Sequence, residues 1–138
     1  MELQDLNYLA VFVGGVVIFF LGGLWYSPVM FAKPWMALQG KTEAEIRAGS
    51  GAMPAKYAIV FLCGLIASYV LAFLVHVMRV ESVGGGMHVG ALVWFGFTAT
   101  SSFATSLFSF KPTKLWLIDA TYYLVAYLIV GAMHGAWH

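Results

Sequence analysis

One carboxylate, a line of hydroxyls, a few tyrosines and four histidines are the groups in this 138-residue chain that could do chemistry. Asp119 is the only ionisable carboxylate inside a long apolar run. A charge at such a place costs about 2.5–3.5 kcal/mol on membrane-insertion scales, so it is seldom left facing lipid. Three roles are open to it. It can pair with Lys111 or Lys114 as a structural ion pair or helix-end group. It can handle a proton or a small cation in a bundle interior. It can anchor a hydrogen bond to a hydroxyl on the preceding run. That run carries Thr98, Ser102, Thr105 and Ser109, whose spacing puts them on one helical face. Thr100, Ser101 and Ser106 add hydroxyls nearby. A hydroxyl seam opposite a carboxylate suits a polar solute, and equally suits close helix packing by small residues. Tyr122 and Tyr123, a turn beyond Asp119, and Tyr69, in an earlier run, are candidates to hydrogen-bond the same site.

The histidines form a second constellation. His76, His88, His134 and His138 all fall near the ends of apolar runs, and His134 and His138 stand four apart on one face. Imidazoles at that spacing can share zinc, copper or nickel, and they also serve as ordinary interfacial residues. The expectation is no cofactor, with a transition metal at these histidines as the alternative. Cys63 is the one cysteine and sits in an apolar run, which excludes an internal disulfide or a paired-cysteine metal site. The serine-rich run has no histidine at its own depth. No nucleophile elbow, phosphate loop or dinucleotide fingerprint occurs, so an enzyme is not expected and no residue is assigned a catalytic role.

The elements that must position these groups follow from composition. The chain is 62% hydrophobic and only 9% charged, with a mean hydropathy of +0.86. Soluble domains carry roughly 25% charged residues. A bilayer crossing needs about 20 apolar residues. Residues 7–27, 57–78, 86–108 and 115–137 each qualify, and only the last holds a charge, Asp119. The fold expected is an all-α integral membrane protein, a single membrane domain of four transmembrane helices in a compact bundle. The first run follows Glu2 and Asp5 rather than basic residues and is too long for a signal-peptide core, so it reads as a retained span. Between the first two spans, Thr42 and Glu45 make a capping box that starts a short helix ending before Gly49 or Gly51. Pro112 and Thr113 suit the first positions of the fourth span.

Lys33, Lys41, Arg47, Lys56, Lys111 and Lys114 lie in the first and third loops, against Arg79 alone on the other side. The positive-inside rule then makes those two loops cytoplasmic and puts both termini outside, in an inner (cytoplasmic) membrane. A net charge of +1 with no basic stripe gives no reason to expect nucleic acid. Gly86-x-x-x-Gly90, Gly131-x-x-x-Gly135 and Ala10-x-x-x-Gly14 are close-approach motifs. Four short spans make a thin bundle, and on that ground a homo-oligomer in contact with the lipid bilayer is expected. A faint echo relates the first and third spans, and the second and fourth, as a two-plus-two parallel repeat would.

The stretch GGLWYSPVMFAKPW, residues 22–35, closes the first span. Gly22 and Gly23 allow close packing, Pro28 ends the helix, and Trp25, Tyr26, Phe31 and Trp35 suit the interface. A sharper expectation is that Trp25 and Tyr26 wall a cavity whose polar floor is Asp119. Together with Gly40-Lys41-Thr42, Tyr69-Val70-Leu71-Ala72, Trp94-Phe95-Gly96-Phe97 and Leu117-Ile118-Asp119, this stretch resembles a family of small four-span membrane proteins catalogued as a domain of unknown function, number seventeen sixty-one. The resemblance covers nearly the whole chain and implies a membrane fold without an activity. Two functions are therefore carried forward. One is a small transporter- or channel-like protein whose polar seam holds Asp119 and takes a small solute or cation of unknown identity. The other is a non-catalytic accessory that contacts lipid or a protein partner.

Overall fold

The computed structural model describes residues 3–40, 42, 44–45 and 53–138. Among the described residues the chain is helical and has no strand. Helix α1 spans Tyr8–Trp25, α2 Ala32–Gln39, α3 Met53–Val77, α4 Val83–Phe108 and α5 Thr113–Ala136. All but α2 are long and apolar enough to cross a membrane. They lie within a few residues of the four runs expected from hydropathy. Their outward faces carry large apolar side chains such as Phe12, Phe20, Ile59 and Leu92, as lipid contact requires.

Local chemistry sets the ends. Asn7 accepts a hydrogen bond from the Ala10 amide (3.0 Å) and starts α1, and Ser82 does the same for Gly85 (3.0 Å) at the start of α4. α1 ends at Trp25, before the Ser27-Pro28 break. α2 closes on Gly40 in the left-handed region, φ 69°. The expected capping contact is present, with the Glu45 amide on Thr42 Oγ1 at 3.2 Å. The expected end of that short helix lies outside the described residues. α5 begins at Thr113, directly after Pro112.

Helices α1 and α3 pack together, and so do α4 and α5. In the second pair both glycine motifs are used against each other. A side chain on Gly86 would fall on the Gly131 carbonyl, one on Gly90 on the Tyr127 carbonyl, and one on Gly135 on the Ser82 carbonyl. Backbone therefore meets backbone along the crossing. These motifs join helices within one chain. Gly22 also packs closely, because Tyr122 occupies the space beside it, whereas Gly23 faces open space.

The core lies where α5 crosses the other three long helices. Ile18, Leu71, Val75, Val89, Ala126 and Val130 form its centre, and Tyr122 and Trp25 cap it on one side. α4 is not uniform. Gly86, Val89 and Gly90 in its first half are buried. Residues Trp94–Ala99 widen into π-helical turns, and no residue of Thr100–Phe108 is buried. A π segment frees backbone carbonyls, and hydroxyls re-satisfy them here. Thr100 Oγ1 donates to the Gly96 carbonyl at 2.9 Å, Ser102 Oγ to that of Thr98 at 2.5 Å, and Ser101 Oγ to that of Phe97. Such back-bonding bends helices. The second half of α4 is left with little purchase on α5.

Candidate functional site

The incomplete packing of α4 on α5 leaves a groove of about 500 Å³. Thr98, Ser101, Ser102, Thr105, Ser106 and Ser109 supply one wall, and Asp119, Trp116 and Tyr123 of α5 face them. A second groove, of about 550 Å³, runs along the opposite flank of α5 between α2 and α3. Its walls include Tyr26, Trp35, Gln39, Lys56 and Tyr57. Lys111, Leu115, Asp119 and Tyr123 line both. Asp119 is thus half-buried on a helix that divides two grooves at one end of the bundle.

Three side chains of α1 and α5 hold this end in register. The Tyr26 hydroxyl donates to Asp119 Oδ1 at 2.6 Å. The Trp25 indole donates to the Ile118 carbonyl at 3.0 Å, and the Tyr122 hydroxyl to the Ile18 carbonyl at 2.7 Å. Phe31 covers Trp25, with ring centroids 4.9 Å apart, and Trp35 meets Tyr26 edge-on at 5.6 Å. On the other side, the Trp94 indole donates to the Ala120 carbonyl (2.7 Å) and the Trp116 indole to Ser102 Oγ (2.9 Å). Three helices, α1, α2 and α4, thereby meet α5 within about two turns of Asp119.

Of the three roles open to Asp119 from sequence, the geometry supplies a hydrogen bond from a different quarter. The donor is the tyrosine that caps the C-terminus of α1, and among the described residues Asp119 makes no ion pair with Lys111 or Lys114. Thr98, Ser102 and Thr105 share its groove. Tyr26 also lies with Asp119, whereas Trp25 is buried behind it. Tyr122 is buried in the core, and its neighbour Tyr123 faces the grooves instead. Tyr69 stacks on Tyr8 (6.4 Å) at the far end of α1, roughly 27 Å away by helical rise.

The histidines divide. His134 is 3% exposed, and its Nε2 lies 3.0 Å from Ser68 Oγ, itself 0% exposed. This pair ties α3 to α5 beside Gly14, where any side chain would collide with Ser68. His76 and His138 border a small cleft next to it, and His88 is exposed elsewhere. Among the described residues no three His, Cys, Asp or Glu side chains are grouped as a metal site would need. The Ser68–His134 pair was missed in sequence. The two lie 66 residues apart, and Ser68 is an ordinary small residue in an apolar run. Only the neighbouring Gly14 hinted at close approach.

A family profile described as "Protein of unknown function (DUF1761)" matches residues 9–135. The chain belongs to this family. No curated protein and no solved structure matches it. The family's description names no activity, so the chemistry of the site rests on its own residues. Asp119, Tyr26 and Trp116 all fall within the matched span.

Proposed function

We propose that this is a small transporter-like protein of a cytoplasmic membrane, handling a small solute or cation through the grooves that flank Asp119. The observation that carries the reading is the position of Asp119. It is a carboxylate with one hydrogen bond from Tyr26, no ion pair among the described residues, and open grooves on both sides. Such a group can exchange a proton for a cation. The core beyond it is closed. Val130 and Ala126 are fully buried between the Asp119 end and the His134 end. This favours access from one side at a time over an open channel within one chain.

In this reading the first and third loops are cytoplasmic, so both grooves open toward the cytoplasm, and the protein is not an enzyme and needs no cofactor. It also forms a homo-oligomer. The hydroxyl-bearing second half of α4 has no buried residue, and a second copy would cover it better than lipid does. The test is flux in vesicles of purified protein, with a proton gradient imposed, a lumenal pH dye as readout and a panel of small organic cations offered. Cation-dependent proton movement that Asp119→Asn abolishes is the expected result. Wild-type vesicles that move no protons with any cation overturn it.

A specific observation favours the second reading, a non-catalytic membrane accessory. Several hydroxyls of α4 donate to carbonyls of the π segment and so serve the helix itself. Wild-type vesicles that move no protons with any cation, together with an Asp119→Asn variant of unchanged fold, would support this alternative.

A further inference from the structure

The groove on the α2–α3 flank of α5 has a chemistry of its own. Lys56, on the first turns of α3, and Lys111, just before α5, both line it and both are exposed. Neither makes an ion pair among the described residues. Two ammonium groups at one groove, without an ion pair among the described residues, draw a phosphate. The rest of the wall is that of an interface. Trp35 and Tyr57 are aromatic, and Tyr57 and Val60 are 53% and 50% exposed, on a face continuous with the apolar outer surface of α3. The groove therefore runs from two cations at the membrane boundary onto a surface that acyl chains must cover. Basic pockets between helices at this level bind acidic headgroups.

We propose that this groove is a binding site for an anionic glycerophospholipid, with phosphatidylglycerol as the simplest fitting headgroup. Lys56 and Lys111 bracket the phosphate, and the acyl chains descend over Tyr57 and Val60. Asp119, at the same groove, favours a headgroup that carries hydroxyls. Its Oδ1 accepts from Tyr26, and as a lining residue of the groove it has a second carboxylate oxygen to accept from a glycerol hydroxyl. A bare second phosphate there would be repelled. The negative headgroup also balances the net charge of two lysines and one carboxylate. This site does not depend on the transport reading, because it requires occupancy and no flux.

The experiment is native mass spectrometry and thermal unfolding of the purified full chain in mild detergent, titrated with phosphatidylglycerol, phosphatidylcholine or inorganic phosphate. The expected result is one saturable phosphatidylglycerol adduct that survives mild activation and raises the melting temperature. Phosphatidylcholine should bind at least tenfold more weakly. The double variant Lys56→Gln/Lys111→Gln should lose the preference and Lys56→Arg/Lys111→Arg keep it, while Arg79→Gln, at the other end of the bundle, should leave it unchanged. Equal retention of phosphatidylcholine overturns the proposal, as does a preference that survives in the Gln double variant. Competition by millimolar inorganic phosphate overturns the lipid assignment in favour of a soluble phosphate compound.

Discussion

The two ends of this bundle are built on opposite principles. At the Ser68–His134 end, α4 and α5 touch backbone to backbone, Gly14 admits Ser68, and the polar pair is sealed from solvent. At the Asp119 end the same two helices part after the π segment, and two tryptophans span the gap with hydrogen bonds. At the first end Ser68 and His134 are buried, so the two satisfy each other. The second is open, with polar side chains lining two grooves. Glycine at the crossing and bulk at the grooves are complementary, because a tight anchor at one end lets the other remain loose without loss of the fold.

That contrast can be broken most severely at the crossing. Gly131→Leu should abolish the folded state, at a cost of at least about 3 kcal/mol, since the new side chain meets the Gly86 backbone and no rotamer relieves it. Unfolding in detergent followed by circular dichroism would register it. Ser68→Ala should cost about 1–3 kcal/mol by leaving His134 buried without its partner, read in the same assay. At the open end the balance should reverse. Asp119→Asn should shift stability by less than about 1 kcal/mol while removing proton-coupled flux, because the group is half-buried beside open grooves. Tyr26→Phe should cost about 1–2 kcal/mol by deleting a charge-assisted hydrogen bond, and should weaken flux without abolishing it. The last change is a gain. Phe110 sits in the left-handed region at φ 57° and is exposed, so Phe110→Gly should stabilise by about 1 kcal/mol. If Asp119→Asn destabilised as much as Ser68→Ala, the two ends would not differ as described.

Much of this was legible beforehand, for reasons that differ residue by residue. The spans were readable because lipid demands long uncharged runs whatever their neighbours. Asp119 stood out because a carboxylate in such a run is costly, and Tyr26 could be placed at its level as a cavity wall because both fall at the same depth. The choice of Tyr26 rather than Lys111 or Lys114 as partner was not readable, since it depends on how α1 rotates against α5. Tyr122 and Tyr123 looked equivalent from one chain. The notch at Gly22 takes Tyr122 into the core and leaves Tyr123 at the grooves. His134 looked like an interfacial residue because its distance from the span's end says nothing of which face it occupies.

By itself the sequence determined the number of crossing helices, their ends and the depth of each polar group, because hydropathy, caps and proline act within one segment. Tertiary structure alone decided which faces meet. It set the glycine motifs against each other, closed Ser68 on His134 and opened two grooves beside Asp119. The reason is physical: helix rotation and crossing are fixed by side-chain volume and backbone approach between segments, and neither is encoded in the apolarity of any one of them.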